Sequence, residues 1–171
     1  MKPQRITAWC AISSKGLIGP FFFEENVTGS RYREMLETQF IPTAQGMGCV
    51  EGWWFMQDGA RPHRTTEVFD FLDEYFSGRV IGLDYQSRYG GGMDWPPYSP
   101  DLNLCDFFLW GYLKDRIYRD EPRTIEDLRT KIFQECHTIS VETFSKVVRG
   151  FKRRLAAVIQ QKGMHIEKFH L

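Results

Sequence analysis

The amino-acid sequence predicts a layered α/β domain. Two neighbouring segments near the start alternate apolar and other residues, as strands do, and short unbroken apolar runs follow further along. Segments with apolar residues at helical spacing lie between and after these runs, which is the order expected of an α/β layered domain. The 171 residues suit one compact domain, and a hydrophobic content of 42% is enough for a buried core.

The first two elements are predicted to form a hairpin. Residues 6–12 place Ile6, Ala8 and Cys10 on one face, and residues 17–23 resume as a second strand after a turn at 13–16. Pro20 interrupts the second strand, which predicts a sheet edge or a bulge there.

The middle of the chain alternates helices and strands. Ser30 can cap a helix that Pro42 should end, and residues 66–76 predict a second helix. The runs at 52–57 and 79–83 predict buried strands, the first of which ends at Asp58.

Residues 84–98 have the composition of a surface loop, with three consecutive glycines and two prolines. Three predicted helices follow, of which the first runs over 104–117 after an Asn103 cap. The second opens at a Thr124–Asp127 capping box and reaches 136. The third follows Ser140, and its predicted apolar stripe comprises Phe144, Val147, Val148, Phe151, Leu155 and Val158.

Charge and cysteine content limit the class of protein. The 22 basic and 22 acidic residues balance, so any contact with nucleic acid must come from local patches. The four cysteines form neither a CxxC pair nor a regular framework, which favours reduced thiols in an intracellular protein. We find no signal-peptide core and no apolar run as long as a membrane span.

Two acids stand out by their positions. Asp58 follows a predicted buried strand, where ligands of open α/β sheets gather, although Asp also commonly starts a turn or caps a helix. Gly59 beside it would let a ligand approach the backbone. Asp106 would be the third residue of its helix, where a carboxylate suits the helix dipole without any further function.

The two acids lie in two longer motifs, QDGARPHRT at 57–65 and PPYSPDLNLCDFFLWGYLKD at 96–115. These motifs resemble sequences of the Tc1/mariner transposases, in which the first is similar to the motif that carries the second catalytic acid and the second to the motif that carries the third. The segments WCAIS, KGLIGPFFF and RYREML also look like that family. The resemblance covers about 7–151 and matches Asp58 with the second acid and Asp106 with the third.

The resemblance implies a ribonuclease H-like fold with a mixed sheet flanked by helices, and metal-dependent DNA cleavage and strand transfer. Catalytic carboxylates would hold Mg²⁺ or Mn²⁺ in a two-metal site, since hard cations prefer oxygen ligands. The implied partners are transposon-end and target DNA, with a homodimer possible, and the implied location is the nucleus.

The chain departs from the family pattern before Asp58. No Asp precedes that residue, so we expect the first catalytic acid and most of its strand to be missing and this chain alone to be inactive. Asp58 and Asp106 are 48 positions apart, longer than in typical mariner elements, and a loop insertion at 84–98 accounts for the excess. We expect a core over about 1–120 and a helical tail over about 121–171.

Two alternatives stay open. The chain could be a domesticated or relic fragment that acts as a non-catalytic nucleic-acid-binding or protein-interaction module, or a different nuclease of the same broad fold. Five residues are candidate DNA contacts: Arg61, His63, Arg149, Lys152 and Arg153. Instead, His63 could order the acidic site or pack beside the next helix, and the basic residues after 148 could form a solvated helix face.

Overall fold

The structure, a computed structural model, describes residues 6–120, 122–164 and 166. These residues form two compact units. The middle unit comprises Glu25–Tyr98, and the terminal unit comprises the described residues up to Glu24 and from Ser99 onward. The predicted boundary near 120 falls inside the terminal unit. Within the described ranges, no helix is both long and apolar enough to cross a lipid bilayer.

The terminal unit begins with the predicted hairpin. Strands β1 (Thr7–Ser13) and β2 (Gly16–Phe23) pair antiparallel. Trp9 lies opposite Phe21 but Ala11 lies opposite Ile18, so β2 has one extra residue at its Gly19–Pro20 step. The predicted irregularity at Pro20 is therefore a β-bulge, which accommodates a residue without a backbone N–H.

The described residues of the terminal unit after Ser99 contain three α-helices: α5 (Trp110–Ile117), α6 (Ile125–Thr138) and α7 (Val141–Gln160). The capping box is confirmed, because the Asp127 amide donates to Thr124 Oγ1 and the Thr124 amide donates to the Asp127 carboxylate. Ser140 caps α7 through the Thr143 amide. The core cluster between hairpin and helices consists of Cys10, Leu109, Leu113, Ile117, Leu128, Ile132 and Cys136.

The middle unit contains a parallel pair of short strands, β3 (Phe55–Met56) and β4 (Val80–Ile81). Both are shorter than predicted. Gly52 adopts a positive φ of 73° in the turn before β3, and Gly78 adopts a positive φ of 67° in the turn before β4. The described strands form two two-stranded sheets, one antiparallel and one parallel. A single mixed sheet was predicted, so the structure differs in this respect, although both strand orientations are present.

The first helix of the middle unit continues beyond Pro42, where we predicted its end. It begins as α1 (Gly29–Met35), widens into a π-helical turn (Leu36–Phe40) and continues as α2 (Ile41–Gly46). The π turn pairs the Ile41 amide with the Leu36 carbonyl, and Pro42 lies in the first turn of α2 that follows. Proline is tolerated in the first turn of a helix, where its missing N–H is not needed. The helix cap is Thr28, not Ser30.

Residues 84–98 are more ordered than the predicted surface loop. They contain α4 (Tyr85–Tyr89), which packs on α3 (Thr66–Phe76) through the stacked rings of Tyr85 and Tyr89 beside Phe69. Tyr85 and Trp95 are buried. Composition alone predicted a loop because the three glycines outweighed the buried aromatic residues around them.

The buried face of α7 also differs from the predicted stripe. Phe144 and Val147 are buried as predicted, and Val148, Phe151 and Val158 are half-buried. Arg154 and Ala157, which the predicted stripe did not include, are buried, whereas Leu155 is 37% exposed. In the second half of α7 the buried face therefore passes through Arg154 and Ala157, and Leu155 lies outside it.

Candidate active site

Asp58 follows β3 in the middle unit and is fixed by its own motif. Asp58 Oδ1 accepts hydrogen bonds from the Ala60 amide (3.0 Å) and from His63 Nδ1 (2.6 Å). His63 lies in a short 3₁₀ helix (Arg61–Arg64) that begins immediately after this turn. No residue in the described part of the chain donates to Asp58 Oδ2, and the side chain is 42% exposed.

A second layer of contacts holds His63. Gln57 Nε2 donates to the His63 carbonyl oxygen (2.9 Å), and Tyr32 Oη donates to Gln57 Oε1 (3.1 Å). The Tyr32 and His63 rings lie with their centroids 4.2 Å apart. Tyr32 and Gln57 are both buried, so these bonds form away from bulk water. The result is a rigid support behind one oxygen of Asp58.

The charge state of Asp58 follows from these bonds. The hydrogen bond from His63 holds the pKa of Asp58 below its usual range, and the Ala60 amide contributes in the same direction. Partial burial acts in the opposite direction but does not outweigh His63. Asp58 is therefore ionised at neutral pH and presents a negatively charged oxygen at the end of the strand.

Gly59 serves packing, contrary to our expectation that it leaves room for a ligand. A methyl group on Gly59 would lie 2.9 Å from Leu83 Cδ2, so the space beside this glycine is already filled. Leu83 follows β4, the strand that pairs with β3. The glycine thus allows the chain after β3 to pass close to the chain after β4.

Asp106 lies in the terminal unit at the start of a helix, as predicted. The helix begins at Leu104, widens into a π-helical turn (Cys105–Leu109) and continues as α5. Asn103 Oδ1 accepts from the Cys105 amide (3.0 Å), which confirms Asn103 as the cap. The Asp106 amide donates to the Asn103 carbonyl oxygen, and the side chain is exposed.

Asp58 therefore lies in the middle unit and Asp106 in the terminal unit. Their action as a pair stays a prediction.

The structure brings His63 to Asp58, which is one of the three roles open for it, while a contact between His63 and DNA stays a prediction. Arg61 is exposed beside the motif. Arg149, Lys152 and Arg153 are all exposed on α7, which is compatible with either DNA contact or a solvated face.

Three residues of these neighbourhoods are not among the candidates predicted from the sequence. Two of them, Tyr32 and Gln57, form the hydrogen bonds behind His63. Arg154 was not singled out, although it lies behind the turn that carries Asp106. A signal for Gln57 was present, since a polar residue at the end of an apolar run needs a partner when it is buried.

The donor chemistry fits a hard divalent cation. An ionised Asp58 with an oxygen open to solvent and an exposed Asp106 offer the carboxylate oxygens that Mg²⁺ prefers. Across residues 6–120, 122–164 and 166, no three His, Cys, Asp or Glu side chains form a group that could hold a metal ion. Water, substrate phosphate or a further acid would have to complete the coordination of any cation at either Asp.

A comparison with curated protein sequences agrees with the resemblance of the two motifs. No protein-family model matches the chain. The Tc1 transposase of Caenorhabditis elegans is 26% identical over 134 residues, which cover 78% of this chain and 43% of that protein. The chain thus spans less than half the length of this curated relative.

Solved structures of a mariner transposase are similar in fold. The catalytic domain of Mos1 transposase superposes with a TM-score of 0.76 at 16% identity, over 98% of this chain and 78% of that one. The Mos1 paired-end complex with the left transposon end gives a TM-score of 0.78 at 16% identity, over 98% and 47%. The two motifs, the sequence relative and the superpositions agree: the chain is similar in sequence to a Tc1 transposase and has the ribonuclease H-like fold of the Mos1 mariner transposase catalytic domain.

Proposed function

We propose that this chain is part of a DNA transposase catalytic domain that performs metal-dependent strand cleavage and strand transfer, with Asp58 and Asp106 as metal ligands. One observation carries the proposal. The QDGARPH motif folds so that His63 and the Ala60 amide hold one oxygen of an ionised Asp58 and leave the other oxygen open. Such preorganisation of a ligand by a hydrogen-bonded neighbour is typical of metal sites.

The chemistry assigns a role to each residue. Bound Mg²⁺ or Mn²⁺ would activate the attacking hydroxyl and stabilise the leaving oxygen of a phosphodiester. Asp58 and Asp106 would supply oxygen ligands from a strand end and a helix start. His63 would keep Asp58 ionised and oriented. Solved structures of the Mos1 catalytic domain with Mn and with Mg support this choice of cations.

DNA is the proposed partner. Arg61 next to the acidic motif and Arg149, Lys152 and Arg153 on α7 are exposed cations that can contact phosphate. The Mos1 complexes with transposon ends support a DNA-binding role for this fold. A nuclear location and action as a homodimer are part of the same proposal.

We expect the number of carboxylate ligands for metal to limit the DNA-cleavage activity of this chain. No Asp precedes Asp58, and the described residues contain no three-ligand group. A lone pair of carboxylates should hold metal weakly, so we propose that the purified chain does not cleave DNA. The check is incubation of supercoiled DNA with the chain and Mg²⁺ or Mn²⁺. Cleavage that Asp58→Asn abolishes would contradict inactivity and at the same time support the site.

Metal binding tests the site itself. Titration calorimetry with Mn²⁺ should show that Asp58→Asn and Asp106→Asn each weaken binding by roughly tenfold or more, since each removes a charged ligand. Asp115→Asn removes an exposed carboxylate of α5 and is the matched control, expected to bind as the unmodified chain does. Equal affinity in all four proteins would refute the proposed site.

A second candidate is a domesticated or relic module that binds nucleic acid without catalysis, for which the exposed cations Arg149, Lys152 and Arg153 on α7 would be the contacts. In that case Arg149→Ala and Lys152→Ala would weaken DNA binding, while Asp58→Asn would leave it unchanged and EDTA would have no effect. Binding that requires Mn²⁺ and Asp58 would favour the transposase.

A further inference from the structure

Arg154 occupies a position of α7 that favours an apolar residue. It lies on the buried face with Val147 and Ala157 and is only 8% exposed. The next residue, Leu155, is instead 37% exposed. A helix that buries arginine and exposes leucine loses hydrophobic stabilisation, so packing alone does not explain this orientation.

The guanidinium contacts both sides of Asp106. Arg154 Nη1 donates to the main-chain carbonyl oxygen of Asp101 (3.2 Å), and Arg154 Cζ lies 3.9 Å from the centre of the Phe107 ring. Asp101 lies in the 3₁₀ turn (Pro100–Leu102) that precedes the Asn103 cap, and Phe107 immediately follows Asp106. One planar group therefore spans residues 101–107, which we name the Asp106 turn.

The Asp106 turn has a second contact with the segment that follows α7. Asp101 Oδ2 accepts a hydrogen bond from the Ile166 amide (3.2 Å), and Ile166 is buried. The turn's own amides bond locally: Asn103 donates to the Pro100 carbonyl oxygen, and Phe107 donates to that of Asn103. Local bonds shape the turn, while Arg154 and Ile166 attach it to the carboxy-terminal part of the chain.

The arrangement of the guanidinium is specific to arginine. A planar fork can donate from its edge while its face lies on an aromatic ring, and the compact ammonium of lysine cannot do both. Arg154 Nε has no hydrogen-bond partner among the residues that the structure describes, so the burial of this group is not fully compensated.

We infer that Arg154 is a positioning residue that fixes the Asp106 turn and so holds the Asp106 carboxylate in one orientation. The relevance to metal binding rests on the proposed function, whereas the fixing of the turn rests on the contacts of Arg154 alone. The two parts are tested by separate measurements.

The first measurement is amide hydrogen exchange by NMR on the whole chain. Arg154→Met keeps an unbranched but shorter apolar side chain and removes both contacts. We expect the amides of Leu102, Asn103, Asp106 and Phe107 to exchange at least roughly tenfold faster, while those of α6 are unchanged. The thermal midpoint should not fall, because methionine suits the buried position.

Lys146→Met is the matched control, since it removes an exposed cation from α7 without touching the Asp106 turn. Arg154→Lys should give an intermediate exchange rate. If Arg154→Met does not fold, the exchange rates of Arg154→Lys test whether Arg154 fixes the Asp106 turn. Exchange in the Asp106 turn no faster in either Arg154 variant than in Lys146→Met would overturn the inference.

The second measurement follows Mn²⁺-induced broadening of the Asp106 amide resonance. We expect Arg154→Met to require roughly tenfold more Mn²⁺ for equal broadening, with partial recovery in Arg154→Lys. The link between Arg154 and the metal would be overturned by one combination of results. In that case Mn²⁺ broadens the resonance in the unmodified chain, Asp106→Asn removes the broadening, and Arg154→Met leaves it unchanged. If Mn²⁺ does not broaden Asp106 in the unmodified chain, the proposed metal site fails, and the exchange rates still decide whether Arg154 fixes the turn.

Discussion

Asp58 and Asp106 are held in different ways. One oxygen of Asp58 accepts hydrogen bonds from the Ala60 amide two positions later and from the His63 ring five positions later, and Tyr32 and Gln57 support His63 in turn. Asp106 lies exposed on a helix start that Asn103 caps, and Arg154, far along the chain, contacts the turn on both sides of it. One acid is positioned by its own motif and the other by a distant helix. Short motifs therefore report on the first site more fully than on the second.

The largest effect on stability is expected from the substitution of Gln57. Gln57→Ala leaves the buried Tyr32 hydroxyl and the His63 carbonyl without their partner, so we expect a loss of about 2–4 kcal/mol in the free energy of unfolding. Urea denaturation followed by circular dichroism measures it. Gln45→Ala, an exposed glutamine of α2, is the control and should change stability by less than about 0.5 kcal/mol. Similar losses in both variants would show that the support behind Asp58 is weak.

His63→Ala tests the direct contact and should cost about 1–2 kcal/mol through a lost charge-assisted bond. The pKa of Asp58 should rise toward the ordinary carboxyl value, as followed by carbon NMR of its carboxyl group. Because the folded-state pKa is lowered, the bond stabilises the fold above the unfolded-state pKa, and this contribution is lost as the pH falls through the folded-state pKa. An unchanged Asp58 titration in His63→Ala would mean that another group controls this acid.

Asn103→Ala tests the local half of the support for Asp106. Loss of the side-chain acceptor for the Cys105 amide should cost about 1 kcal/mol, as expected of a helix cap. Asn103→Asp keeps an acceptor and should be close to the unmodified chain in thermal unfolding. If both variants are equally stable, the cap contributes nothing and Asp106 depends on tertiary contacts alone.

Gly59→Ala should have the smallest effect, below about 1 kcal/mol. The added methyl group meets the flexible end of Leu83, and the reduced freedom of the unfolded chain offsets part of the cost. A double-mutant cycle with Leu83→Ala measures the coupling, because the penalty of Gly59→Ala should disappear when the leucine is shortened. If Gly59→Ala is still destabilising in the Leu83→Ala background, contact with Leu83 is not the reason for a glycine at this position, and the predicted approach of a ligand to the Gly59 backbone stays open.

Much of the fold was predictable from local patterns. The hairpin, the Thr124–Asp127 capping box and the Ser140 cap each depend on residues close in sequence, and the structure confirms all three. The errors at Pro42 and in residues 84–98 have one cause. Proline and glycine predict local breaks, but a π turn accommodates Pro42 and buried aromatic packing accommodates the glycine-rich segment.

The sequence by itself determined the family resemblance, the positions of Asp58 and Asp106 and the caps that start their neighbouring elements, since these depend on short motifs and local hydrogen bonds. Only the tertiary structure decided that Gly59 makes room for Leu83, that Tyr32 supports Gln57, and that Arg154 is buried against Asp101 and Phe107. Those contacts join residues 24 to 53 positions apart, and the free energy of burying them depends on which surfaces the folded chain brings together.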